Sequence, residues 1–201
     1  MIIGLTGTYC AGKNYVGRLL EKRGLPVLDV DKLGHSAIET EKEAILERFG
    51  EDILSRSGSG AIDRKLLGAK VFGRPSELAA LEAIVHPAAN RMTVEWLAAR
   101  EGPCVINAAL LHRSEVFRDL DAVILVEAPW LVRLFRARKR DRLSWKALLK
   151  RFKSQKEFRS QYFGENTDIY RVENRGFGFS ASKRQEKLER RIDEILSHLG
   201  L

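Results

Sequence analysis

A glycine pair at 7 and 12, a lysine at 13 and an apolar strand just before them constrain this chain more than any other feature. Residues 1–6 read Met-Ile-Ile-Gly-Leu-Thr, and Gly7-Thr-Tyr-Cys-Ala-Gly12-Lys13-Asn14 follows directly. The spacing is that of the phosphate-cradling loop G-x-x-x-x-G-K-[ST], with Asn14 in the position of the hydroxyl. Glycine admits backbone angles and close approaches that a β-carbon forbids, so successive N–H groups can turn inward as an anion nest. A helix starting near Gly12 adds unpaired amides and the positive end of its dipole. Lys13 adds a mobile full charge that can reach outer phosphates. The usual hydroxyl is a ligand for Mg²⁺, a hard cation that prefers oxygen; the Asn14 carboxamide offers an oxygen without charge and with a different reach. Val16, Leu19 and Leu20 continue at helical spacing, the context the pattern requires. Gly7, Cys10, Ala11, Gly12, Lys13, Asn14 and Tyr15 are therefore expected to hold the phosphates of a nucleotide.

Composition narrows what surrounds that loop. A chain of 201 residues is one generous domain or a core with sizeable insertions. A hydrophobic share of 44% can bury an ordinary core, and 31% charged residues argue for a protein in water. No apolar run approaches the ~20 residues of a membrane span, and no leader is expected before the first strand. Cys10 and Cys104 are too few and too scattered for disulfides or a zinc site, which suits a reducing cytoplasm. The formal charge is +8, and residues 133–159 hold twelve basic side chains against Asp141 and Glu157. Such a stretch attracts polyanions, but it lacks a nucleic-acid module or regular aromatic interleaving. It is read mainly as a solvated helical face, with no nucleic-acid partner and no membrane.

Apolar runs bounded by turn signals at 2–6, 26–29, 104–107 and 122–127 predict buried parallel strands, and the more polar 169–174 suits a fifth strand at an edge. Helical patterns lie at 15–23, 32–49, 63–71, 76–85, 87–100, 130–138, 144–158 and 183–199. Strands alternating with helices imply an α/β layered domain with a parallel sheet. Asp29 and Asp31 close the second strand. Period-two geometry would put both carboxylates on one side, Asp31 nearer the crevice where ligands of open parallel sheets collect. A carboxylate there can accept a hydroxyl proton in phosphoryl transfer; the alternative is an Asp capping a helix that starts near Lys32. Arg136, Arg140 and Arg151 fall where small kinases carry a lid, and the planar guanidinium matches phosphate. His86 precedes Pro87, which suits the first turn of a new helix, so His86 reads first as a cap or packing residue. His35 and His112 follow strand ends.

Several segments, in order, resemble the dephospho-coenzyme A kinase family. They are the phosphate loop, Val-Leu-Asp-Val-Asp31-Lys-Leu-Gly-His35, Arg48-Phe-Gly50, Ile62-Asp-Arg64, Val71-Phe72 and Leu81-Glu-Ala-Ile-Val-His-Pro87. Later come Arg136, Arg140-Asp141 with Leu143-Ser144, Arg151 and Gln155, and finally Glu173-Asn174-Arg175-Gly176. The resemblance implies a three-layer P-loop kinase fold with a five-stranded parallel sheet, a helical coenzyme-side insertion and a lid. Within one domain over 1–201, the core would be 1–31, 102–138 and 166–201, the insertion 32–101 and the lid 139–165. It implies ATP phosphorylating the 3′-hydroxyl of dephospho-CoA; a cytoplasmic monomer is expected. Asp31 would be the base, Lys13 and the loop amides would hold ATP, and Arg140 would stabilise the transferring phosphoryl. Arg136 and Asn174 would lie on the ATP side, and His35, Arg64 and His86 on the coenzyme side. Asn14 departs from the family's Ser/Thr, and Asn107 departs from the Asp expected at the end of the third strand. Mg²⁺ would then be held mainly by ATP and water, with Asn14 and Asn107 as direct or water-mediated oxygens. Another small-molecule P-loop kinase, or a catalytically impaired nucleotide-binding protein, remains open at this point.

Overall fold

The computed structural model describes residues 1–56, 58–113, 115–141, 143–153, 167–175 and 181–201. They divide into two compact units, Met1–Leu28 with Gly102–Leu201, and Asp29–Glu101.

The first unit is built on the expected parallel sheet. Strands β1 (Ile2–Gly7), β2 (Val27–Asp29), β3 (Cys104–Asn107), β4 (Ala122–Glu127) and β5 (Asp168–Glu173) lie in the order β2-β3-β1-β4-β5. β1, β3 and β4 are buried along nearly their whole length, because helices cover both faces of a parallel sheet. β5 is mostly exposed or half-buried and, among the described strands, pairs with β4 at the edge of the sheet, as its polarity predicts. Register sets the functional end: Leu5 pairs with Asn107, Gly7 with Val126, and Glu127 with Glu173. Helices α1 (Lys13–Glu21) and α8 (Ala181–His198) pack on one face. Val16, Leu19 and Leu20 from α1 meet Leu188, Ile192, Ile195 and Leu196 from α8 over Ile3, Leu5, Val105, Ile124 and Val172. Each such side chain contributes about 1.5–3 kcal/mol by leaving water.

Arg23, just past α1, ties this layer to α8 through an ion pair with Asp193 and a bond to the Leu19 carbonyl. The guanidinium hydrogen bond holds the Asp193 carboxyl below its ordinary value. A depressed carboxyl contributes stability above its unfolded value and loses it as pH falls through the folded one. Asp193 is largely exposed, so the pair is worth only about 0.2–1 kcal/mol. Asp193→Asn should therefore melt slightly below the parent at pH 7, with the gap narrowing as pH falls below the ordinary carboxylate range. Melting curves over that range test this; a gap that does not narrow as pH falls would refute it.

The second unit is helical: α2 (Val30–Thr40), α3 (Lys42–Phe49), α4 (Arg64–Val71) and α5 (Pro75–Ala98). Two expectations fail here. The single helix over 32–49 is two helices, broken at Glu41. Ala37 buries with Ala88 and Ala89, whereas Ile45 and Phe49 bury with Ile53, Ile62, Leu67 and Val71. One straight helix cannot aim its apolar stripe at two clusters, and Glu41, ion-paired with Arg91, takes the bend. Pro87, by contrast, starts no helix and lies inside α5, leaving His86 exposed in mid-helix. Proline inside a helix costs about 3 kcal/mol, and the close packing of Ala88 and Ala89 on Ala37 offsets it.

The starts of two helices also move. α1 begins at Lys13 rather than Tyr15, and α2 begins at Val30. Asp29 is its N-cap, accepting from the Lys32 N–H. Asp31 sits in the first turn of α2, so the period-two placement of the two carboxylates does not hold. Helix α6 runs over Trp130–Asp141, and α7 over Trp145–Lys153 begins after Ser144, whose Oγ accepts from the Ala147 N–H.

Candidate active site

β1 delivers the chain to the sheet's carboxyl end, where Gly7 lies against β4. A β-carbon there would stand 2.7 Å from the Val126 carbonyl oxygen. The loop then turns on two left-handed residues, Cys10 at φ 59° and Gly12 at φ 96°. The Ala11 N–H closes it onto the Thr8 carbonyl at 2.8 Å.

Two side chains shape the loop from behind. Arg136 on α6 donates from Nη1 to the carbonyls of Cys10 (3.3 Å) and Ala11 (2.9 Å). Asn174, just past β5, donates from Nδ2 to the Ala11 carbonyl at 2.9 Å and accepts from Arg136 Nη2 at 3.0 Å. The Asn174 backbone N–H is held in turn by the Glu127 carbonyl at 2.7 Å. In a planar trans peptide the carbonyl and the following N–H point opposite ways. Drawing the Ala11 carbonyl outward therefore turns the Gly12 amide to the loop's other side, the orientation a phosphate needs. Burial lowers the Arg136 guanidinium from its ordinary value, but an arginine remains charged at neutral pH.

Lys13 opens α1, with Gly12 as its N-cap and no side-chain cap among the described residues. A helix start of this kind suits an anion. Asn14 is exposed, and its Oδ1 accepts from Asn107 Nδ2 at 3.3 Å. Asn107 is buried at the end of β3, and its Oδ1 has no hydrogen-bond partner among the described residues. The two carboxamides therefore form one unit with an orphaned buried oxygen. Among the described residues no group of three or more His, Cys, Asp or Glu could hold a metal.

A third cluster joins the loop to the helices after β4. The Tyr9 hydroxyl donates to Asp141, and the Arg140 guanidinium lies 5.1 Å from the Tyr9 ring centroid. Arg140 Nε also donates to Asp141 at 2.7 Å. Neither Tyr9 nor Asp141 was expected as a site residue; the loop pattern leaves the residue at 9 unspecified, and no spacing links it to 141.

The profile of the dephospho-CoA kinase family matches residues 1–167. The chain belongs to the dephospho-CoA kinase family. The dephospho-CoA kinase of Treponema pallidum is 34% identical, over 100% of this chain and 96% of its own. A crystal structure of a Thermus thermophilus protein superposes with a TM-score of 0.77 at 32% identity, covering 99% of this chain and 97% of that one. Dephospho-CoA kinase from Campylobacter jejuni, at 22% identity, shares the fold with a TM-score of 0.65 over 96% of each chain.

The expected dephospho-CoA kinase residues fall in both units. Gly7, Cys10, Ala11, Gly12, Lys13, Asn14, Tyr15, Asn107, Arg136, Arg140 and Asn174 belong to the first. Asp31, His35, Arg64 and His86 belong to the second, and all four are exposed. Arg64 begins α4 behind the N-cap Asp63. Gln155, Gly176 and positions 142 and 154–165 of the expected lid lie outside the described residues, as does the Arg151 side chain. Among the described residues no helix is long and apolar enough to cross a membrane.

Proposed function

We propose that this chain transfers the γ-phosphoryl group of ATP to the 3′-hydroxyl of dephospho-CoA, giving CoA and ADP, the last step of coenzyme A biosynthesis. The full-length match to a dephospho-CoA kinase carries this reading. The outward-braced loop at the sheet's carboxyl end gives it a physical basis.

In the reaction the Asp31 carboxylate takes the proton of the 3′-hydroxyl as its oxygen bonds to the γ-phosphorus. The bond from that phosphorus to the β,γ-bridging oxygen breaks, and its electron pair leaves on ADP. The loop amides and Lys13 hold the phosphates in line, and Arg140 neutralises charge spread over the transferring group. Arg136 and Asn174 keep the loop in its binding shape on the ATP side. His35, Arg64 and His86 serve the coenzyme side. The monomer is the working form, in the cytoplasm.

Mg²⁺ fits this site through neutral oxygens: the orphaned Asn107 Oδ1 and the exposed Asn14 carboxamide. When bound it would supply charge neutralisation at the phosphate oxygens. With no carboxylate in the pair, most of its ligands would be ATP oxygens and water.

ADP release should be measured with dephospho-CoA, nucleoside monophosphates and other small alcohols across a Mg²⁺ titration. Turnover is expected with dephospho-CoA alone, at a raised Mg²⁺ requirement that Asn14→Ser lowers. Turnover with a nucleotide acceptor alone would assign a different kinase activity. The neutral Asn14–Asn107 pair favours one rival, an impaired nucleotide-binding protein. ATP binding with no CoA formed at any Mg²⁺ or Mn²⁺ concentration would establish that rival.

A further inference from the structure

Tyr9 occupies an interior position of the phosphate loop, yet its side chain reaches the helices that follow β4. Its ring meets Phe152 of α7 edge-on, with centroids 5.5 Å apart and planes at 76°. It packs against buried Leu134 and Ala137 of α6 and Leu148 of α7. These contacts need only an aromatic ring, and phenylalanine would satisfy them.

The hydroxyl has a separate use. It donates to Asp141 Oδ2, and the same carboxylate accepts from Arg140 Nε at 2.7 Å and Nη2 at 3.3 Å. Arg140 is thereby held from two sides, by the carboxylate and by the Tyr9 ring face 5.1 Å away. A guanidinium has five N–H donors in a fixed fork. Asp141 engages the Nε and Nη2 edge, and Nη1 makes no hydrogen bond with a described residue. The free edge suits a phosphate oxygen.

We infer that Tyr9 is a positioning residue for phosphoryl transfer: through Asp141 and its own ring it fixes Arg140 relative to the phosphate loop. The inference rests on the reading of Arg140 as the arginine that neutralises the transferring group. A long, largely exposed arginine otherwise loses much rotamer freedom when it engages phosphate. Anchoring it to a loop residue places that ordering in the protein before substrate arrives.

Tyr9→Phe keeps the packing and the ring stack and removes the hydroxyl that donates to Asp141. Losing that bond is expected to lower kcat about tenfold by misplacing Arg140, with KM for ATP nearly unchanged. In an Arg140→Ala background the same change should have no further effect, because the group it positions is gone. Wild-type kcat in Tyr9→Phe, or a fall in ATP affinity that equals the fall in kcat, would overturn the inference. So would two losses that multiply in the double variant. If Arg140→Ala itself turns over normally, the reading of Arg140 has failed and Tyr9 falls with it. If Arg140→Ala is impaired and the losses multiply, the assignment of Tyr9 alone has failed.

Discussion

Gly12→Ala is expected to weaken ATP binding by about 30- to 1,000-fold, measured as the Kd of ATP on the purified protein. Gly12 has φ 96°, a conformation that side chains disfavour, and an added β-carbon would stand 2.3 Å from Asn174 Nδ2. Asn174 cannot swing aside cheaply. Its amide nitrogen holds the Ala11 carbonyl, its Oδ1 receives Arg136, and its backbone is fixed to Glu127. The variant must either keep a strained loop at a cost of about 1–3 kcal/mol or break the brace and lose a further ~1 kcal/mol per hydrogen bond. Either escape turns the Ala11–Gly12 peptide from the orientation that faces phosphate, and each 1.4 kcal/mol is about tenfold in affinity. Gly24→Ala is the control. Gly24 also has positive φ, at 84°, but none of the described residues comes within 4 Å of its added carbon. It should lose some stability and keep its ATP affinity. Gly12→Ala binding ATP as tightly as the parent would remove the brace from the account.

The loop and the sheet were legible because their causes are local. Residues 2–5, 104–106 and 122–126 are apolar throughout, since each strand is buried along nearly its whole length. Gly7, Gly12 and Lys13 lie within one turn, so their spacing alone carries the geometry. What the sequence hid arises between residues far apart. Tyr9 meets Asp141 across 132 positions, and Asn174 meets Ala11 across 163. No periodicity links such partners. Asn174 stood out only through a family-like segment, which suggested the ATP side and gave no sign of the loop carbonyl it holds. The α2–α3 break has no glycine or proline to announce it, and is imposed by the two clusters that Ala37 and Ile45 enter. Pro87 misled in the opposite sense, because a local rule for helix starts was outweighed by packing. The Asp29–Asp31 pattern failed for a related reason. A strand of three residues, Val27–Asp29, ends before a second period can be completed, and the N-cap takes Asp29.

Asp31→Asn is expected to lower kcat by about 10²–10⁴-fold and leave ATP affinity near that of the parent. The carboxamide is nearly the same size as the carboxylate but cannot take the proton of the 3′-hydroxyl. Asp31 lies in the first turn of α2, so its charge also interacts with the positive end of that helix. That helix-end interaction contributes about 0.3–1 kcal/mol, far below what a thousandfold fall in turnover requires. Asp29→Asn separates the two contributions. Asparagine caps a helix as well as aspartate does, so the bond to the Lys32 N–H should persist, with stability and turnover both retained. A loss confined to Asp31→Asn would assign the carboxylate to the reaction rather than to the helix end. Equal losses in the two variants would assign it to the helix. A fall in ATP affinity matching the fall in kcat, or no fall in kcat, would leave phosphoryl transfer without this base.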